Sequence, residues 1–306
     1  MLRKLVLLAI LVVAVGLAIF WFVTVPATVP ASALGAHKVD LENGRTMFFA
    51  GGCASCHATP GQDDKLQLGG GLALHSPFGT FYAPNISSDP KAGIGSWTEH
   101  QFVNAMLKGT SPSGSHYFPA FPYSSYQMMA LPDVRDLFAY MKTLPAVQTS
   151  SREHDVAFPF NIRRALGGWK MLFLGDGATF KPDPTKSEQW NRGAYLVNGP
   201  GHCAECHSPR NFLGGIVTGQ RFAGGPNPEG RGWVPNITQA RLKDWAEPDF
   251  EMLLESGMTP EGDSVGSNMA PVIRNTSQLS NEDRAAMAVY LKSLAPVEGP
   301  KRPERK

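Results

Sequence analysis

A chain of 306 residues is long enough for two ordinary domains. Its 32 glycines and 25 prolines exceed average usage but stay below the level of disordered or fibrous chains, and 42% apolar residues point to a folded, loop-rich protein. With 28 basic against 26 acidic side chains, and the basic excess confined to Arg3, Lys4 and the tail 301–306, no face for nucleic acid is indicated.

Residues 5–25 form an uncharged apolar run behind Arg3 and Lys4. As a helix rising about 1.5 Å per residue the run is long enough to cross a bilayer core of roughly 30 Å. Basic residues ahead of the run favour an orientation that exports everything after it. Residues 1–27 are therefore read as a membrane anchor or a signal, with Ala31-Ser32-Ala33 available for cleavage in the second case. The full spanning length favours a retained anchor.

Four cysteines stand in two pairs, Cys53-Ala54-Ser55-Cys56-His57 and Cys203-Ala204-Glu205-Cys206-His207. Disulfides or a zinc knuckle would account for the cysteines, but neither needs a histidine next in line. C-x-x-C-H is the attachment signature of c-type haem: Cys53, Cys56, Cys203 and Cys206 would add to the vinyl groups, and His57 and His207 would bind iron from below. Two covalently bound haem c are expected, with no cysteine left over.

The motifs lie 150 residues apart, and much else recurs at nearly that distance. Ala83-Pro84-Asn85-Ile86-Ser87 returns as Val234-Pro235-Asn236-Ile237-Thr238, and Trp97, Phe102 and Gly109 return as Trp245, Phe250 and Gly257. Leu137, Tyr140, Met141 and Leu144 match Met287, Tyr290, Leu291 and Leu294, both sets at helical spacing. Each copy reads as a short helix near 44–50 or 192–198, the haem motif, a Gly/Pro-rich stretch and a helix near 99–107 or 248–255. A ligand loop and a closing amphipathic helix complete it. Pro132 suits the first turn of one closing helix, and Ser280 with Asp283 resembles a capping box for the other. Trp97 and Trp245 suit either plain packing or a place beside the porphyrin, and Pro84, Asn85, Pro235 and Asn236 are expected to shape loops at the haem edge. The fold class is mainly α, with an N-terminal transmembrane helix ahead of two haem-binding units in tandem. The units occupy 38–150 and 188–298, joined by a linker 151–187 and followed by a basic tail 299–306. Residues 161–174 of the linker read as a connector helix, with contact to membrane or a partner as the alternative.

The segments Ala83-Pro84-Asn85-Ile86-Ser87, Gly109-Thr110-Ser111-Pro112-Ser113-Gly114 and Phe118-Pro119-Ala120-Phe121-Pro122-Tyr123 resemble the cytochrome c subunit of bacterial membrane-bound alcohol and sugar dehydrogenases. The resemblance covers roughly 38–298 and implies two class I cytochrome c-like domains with long loops. It implies electron transfer from a quinoprotein, flavoprotein or molybdenum dehydrogenase to quinone, a cytochrome or a terminal oxidase. The place implied is the inner membrane, with the soluble part in the periplasm. The best-known members carry three haem motifs, against two in this sequence. The chain would itself catalyse no substrate chemistry; the competing expectation is a dihaem peroxidase with an open haem in domain 1.

Distal ligation separates these readings. Met269, ten residues before the closing helix, matches the ligand methionine of the group. In domain 1 the corresponding place holds Phe121, which cannot bind iron; His116 and Met129 are the substitutes, ahead of Met106 and Met128. A first haem without a thioether should have the lower potential. His37, His75, His100, His154 and His202 show no ligand spacing and are expected on surfaces or loops.

Overall fold

The computed structural model describes residues 1–175, 177, 179–230 and 232–303. Its first helix, α1 (Leu2–Val23), buries none of its residues, and its leucines, valines and isoleucines stand open along its whole length. Apolar exposure on that scale suits a lipid surrounding and not water. The end of α1 is tied into the soluble part. Thr24 is 1% exposed, and its carbonyl accepts from Nε2 of His116 at 2.9 Å. The Ala27 carbonyl accepts from Thr110, and Asn104 and His100 hold the backbone of Val29.

Domain 1 contains α2 (Leu41–Ala50), the five-residue helix Cys53–His57, α3 (Glu99–Lys108) and α4 (Leu131–Met141). The Asp40 carboxylate caps α2 by accepting from Asn43 N, Thr98 and Gln101 form a capping box on α3, and Gly109 ends α3 in the left-handed region at φ 57°. After α5 (Ala165–Phe173) in the linker, domain 2 repeats the plan. It comprises α6 (Glu188–Asn198), the haem-motif turn Ala204–His207, α7 (Glu247–Ser256), α8 (Met269–Thr276) and α9 (Asn281–Lys292).

The two domains are built on the same crossing. Helix α2 packs on α4, and α6 on α9, with backbone against backbone. A Cβ on Gly44 would lie 2.2 Å from the Asp136 carbonyl oxygen, and one on Gly193 only 1.8 Å from that of Ala286. Only glycine permits this approach. Around the crossings Met47, Phe48, Leu137, Leu196, Val197, Met287 and Ala288 are almost wholly buried.

Several expectations are refined by the structure. Helix α6 starts a turn before residue 192 because Ser187 caps it, its hydroxyl accepting from Trp190 N. Ser280 caps α9 as expected, but Asp283 does not turn back to close the box. Its carboxylate pairs instead with Arg192 across the α6–α9 crossing, at 2.7 and 3.0 Å. The stretch after the first haem motif holds an antiparallel hairpin, β1 (Ala73–Ser76) and β2 (Gly79–Tyr82), whose outer edge is completed by β3 (Asp155–Val156) from the linker. Strands this short carry no visible alternation, so the sequence reads as loop. Helix α5 does connect the domains: Lys170 reaches the carbonyls of Lys108 and Gly109 at 2.6 and 2.8 Å and so caps the C-terminal end of α3. Of the basic tail, residues 304–306 lie outside the described residues.

Candidate haem sites

In both motifs the C-x-x-C-H residues wind into a helical turn, Cys53–His57 and Ala204–His207. Residues three apart on a helix share a face, so each pair of thiols stands together with the imidazole beside it. None of the four cysteines forms a disulfide. Burial pushes Cys53 and Cys203 up to about 12, and Cys56 and Cys206 up to about 11, as the apolar surroundings of the sulfurs dictate.

The histidines are oriented identically. Nδ1 of His57 donates to the Pro84 carbonyl at 2.8 Å, and Nδ1 of His207 to the Pro235 carbonyl at 2.8 Å. A carbonyl can only accept, so this bond sets the tautomer and leaves Nε2 with a free lone pair for a metal. Burial lowers the pKa of both rings, which favours the neutral, ligating form. Here the sequence reading fell short: beyond shaping loops, Pro84 and Pro235 orient the two motif imidazoles. Their neighbours fix the loops, Asn85 donating to the carbonyls of Val147 and Thr149, and Asn236 to that of Val297. Trp97 and Trp245 pack against the core, Trp245 edge-on to Phe250 at 5.2 Å.

The donor set fits haem. Cys53, Cys56, His57, Cys203 and His207 are half-buried and Cys206 is exposed, so these side chains are accessible to a large apolar group.

Met269 is also half-buried, but it begins helix α8 and is not in a loop. Its amide donates to the Gly266 carbonyl at 3.2 Å; in domain 1 the Phe121 amide makes the same bond to Phe118 at 3.0 Å. Phe121 thus takes the backbone place of Met269, with Tyr126 and Tyr117 rings 5.5 and 5.6 Å away.

Neither substitute stands where Met269 does. His116 is 3% exposed; its Nε2 donates to the Thr24 carbonyl at the end of α1, and its Nδ1 is buried without a hydrogen-bond partner. Met129 is fully buried, in the turn that precedes α4. Its counterpart 150 residues on is Leu279, a plain core side chain making the same turn bond. Met106 is a core residue of α3.

Other histidines hold structure together. His37 donates to Asp136 at 2.6 Å, His154 accepts from Tyr82 N between the rings of Phe81 and Phe118, and His75 touches Thr80 in the hairpin. His202 does more than abut Cys203. Its Nε2 donates across the domain boundary to the Gly51 carbonyl at 3.2 Å, and its ring meets Tyr126 at 5.5 Å.

Sequence reasoning missed the junction of the two sites. Ser55, inside the first motif, accepts from Asn275 of α8 at 3.0 Å. Glu205, at the same place in the second motif, accepts from Ser125 at 2.8 Å and Ser124 at 2.7 Å. Ser55 corresponds to Glu205 and Ser125 to Asn275, so each motif packs on the distal segment of the other domain. Reciprocal contacts of this kind define a pseudo-two-fold axis, and the two haem motifs lie beside it. Arg210 completes the junction by donating to Glu205 at 2.6 Å. Burial pushes the Glu205 carboxyl up, but the Arg210 charge and the serine hydroxyls outweigh it and hold the group below its usual range. The signal was present in the repeat: the second x of each motif differs between copies, serine in one and glutamate in the other.

The cytochrome c family matches the chain twice, at residues 41–145 and 190–295. The chain is a member of the cytochrome c family. Among its relatives is the "Diheme cytochrome c-type" protein of Cereibacter sphaeroides, 51% identical over 261 residues, 85% of this chain and 87% of that protein. The "Fructose dehydrogenase cytochrome subunit" of Gluconobacter japonicus is 35% identical over 87% of this chain and 54% of its own length. The "Alcohol dehydrogenase (quinone), cytochrome c subunit" of Gluconacetobacter polyoxogenes is 34% identical over 90% of this chain and 60% of its own length. The chain therefore spans less than two thirds of these two larger relatives. This cytochrome c is mainly helical, has two tandem domains, and carries two covalently bound haem c.

Proposed function

We propose that this dihaem cytochrome is the electron-transfer subunit of a membrane-bound dehydrogenase, taking electrons from a quinoprotein, flavoprotein or molybdenum subunit. It passes them to quinone, a cytochrome or a terminal oxidase. The named dehydrogenase subunits among its relatives support the donor side of this reading. The observation that supports it is the reciprocal junction, in which each haem motif is hydrogen-bonded to the other domain, so that electrons would need only a short path between domains.

Bound haem supplies a one-electron iron couple. The chain does the rest. Cys53 and Cys56, with Cys203 and Cys206, would hold the two groups covalently; His57 and His207 would bind iron, their tautomers set by Pro84 and Pro235. Met269 would supply a thioether to the second iron. With Phe121 in the equivalent place, domain 1 offers no thioether there, and its haem would have the lower potential. That order drives electrons from domain 1 to domain 2. Helix α1 is a retained anchor, because its last turn is bonded into domain 1 through His116, and the soluble part lies in the periplasm.

The test is purification of the protein from detergent-solubilised membranes with its associated subunits. Haem reduction is then followed on adding alcohols, aldehydes or sugars. Reduction by one of these substrates, dependent on the associated dehydrogenase, is expected. Consumption of hydrogen peroxide without a dehydrogenase would establish the enzyme reading in its place.

A further inference from the structure

Helix α5 is pressed against the last turn of α1. A Cβ on Gly167 would lie 2.5 Å from the Thr24 side chain, and one on Gly168 would be in ordinary contact, 3.5 Å from Phe20. Arg164 donates to the Trp21 carbonyl, with its guanidinium 4.3 Å over the Trp21 ring. Arg163 is likewise engaged, donating to the His116 carbonyl at 3.0 Å and covering Phe118.

With both arginines engaged in these contacts, the large apolar side chains of this segment stand bare. Met171 is 63% and Leu172 69% exposed, flanked by Phe158 at 78%, Phe160 at 48% and Ile162 at 43%. Domain 2 extends the same surface. Trp169 Nε1 donates to the Leu213 carbonyl at 2.9 Å, beside Phe212, which is 88% exposed. Phe78 links the parts, edge-on to Phe160 at 5.2 Å and close to Gly214.

Water-soluble surfaces seldom leave so many large apolar side chains adjoining. The position of the patch identifies its occupant. At 22 residues and about 1.5 Å per residue, α1 matches a hydrocarbon core of roughly 30 Å, so its last turn marks the bilayer boundary. Helix α5 sits beside that turn and is therefore at the same depth.

We propose that residues 158–172, together with Phe212, form an interfacial phospholipid-binding surface that lies in the outer face of the membrane. It holds the two haem domains down against the bilayer instead of letting them swing from α1. The proposal rests on the reading of α1 as a retained anchor. Its apolar side chains enter the headgroup–acyl boundary, where their burial from water is the driving force.

The test uses the full-length holoprotein, purified without other subunits, in phosphatidylcholine–phosphatidylglycerol vesicles containing a phosphatidylcholine with a photoactivatable diazirine tail. After illumination and proteolysis, lipid adducts are expected on α1, on 158–172 and on Phe212. In the Met171→Glu/Leu172→Glu variant, whose visible haem spectrum should be unchanged, labelling of 158–172 is expected to fall roughly ten-fold while α1 stays labelled. Adducts confined to α1 would overturn the proposal and leave the anchor intact, and would turn attention to a protein partner for this face. Adducts absent from α1 as well would overturn both.

Discussion

Replacing Glu205 by glutamine removes one charge at the point where the haem motifs meet, with little change of shape. The residue is 7% exposed, and its carboxylate accepts from Ser124 at 2.7 Å and Ser125 at 2.8 Å in domain 1, and from Arg210 at 2.6 Å within domain 2. Removing one member of a buried ion pair costs about 3–5 kcal/mol, because the other charge is left without its partner. The lower end applies, since the Arg210 side chain keeps 24% exposure and its bonds to the carbonyls of Gly214 and Glu205. A loss of about 3 kcal/mol is expected, read as a lower midpoint in denaturant titrations of the holoprotein in detergent. The carboxyl has a folded-state pKa below its free value of 4.5, so its contribution is present above that pH and is lost as pH falls through the folded value. Wild type should therefore lose this increment in acid, whereas Glu205→Gln should not. Ser125→Ala should cost roughly 1.5 kcal/mol alone and less when combined with Glu205→Gln, because the two side chains share one hydrogen bond. An unchanged midpoint in Glu205→Gln, or strict additivity with Ser125→Ala, would refute the junction as drawn.

Carbon monoxide should bind one more haem in reduced Met269→Ala than in the reduced wild type, as seen in difference spectra; equal binding by the two proteins would contradict Met269 as a ligand. A redox titration should resolve two potentials, the lower assigned to domain 1 by its upward shift in Phe121→Met. Gly193→Ala forces a methyl group to within 1.8 Å of the Ala286 carbonyl oxygen and should destabilise domain 2 by about 3 kcal/mol or more, at the upper end of overpacking costs. Gly266→Ala, where nothing lies within 4 Å, should change stability by less than about 0.5 kcal/mol; the comparison is made by thermal unfolding followed at the haem bands.

Much of this protein is legible in its sequence. Two C-x-x-C-H motifs, a spanning apolar run, a repeat at 150 residues and two closing helices at i, i+3, i+4, i+7 spacing are local patterns. Local patterns follow from helix period, thiol chemistry and bilayer thickness, which need no knowledge of what each segment packs against. Packing is a different matter. The roles of Pro84 and Pro235 as carbonyl acceptors, the bond from His116 Nε2 to Thr24, and the burial of Met129 as a counterpart of Leu279 depend on residues far away in the chain. So does the junction of Ser55 with Asn275 and of Glu205 with Ser125, because a contact between domains is set by how two surfaces fit and leaves no period in either one. The chain's own spelling thus determined which cofactor is held and how many times. Only the folded molecule decided how the two motif imidazoles are turned, since the carbonyl that each Nδ1 meets comes from a segment 27 or 28 residues further along the chain.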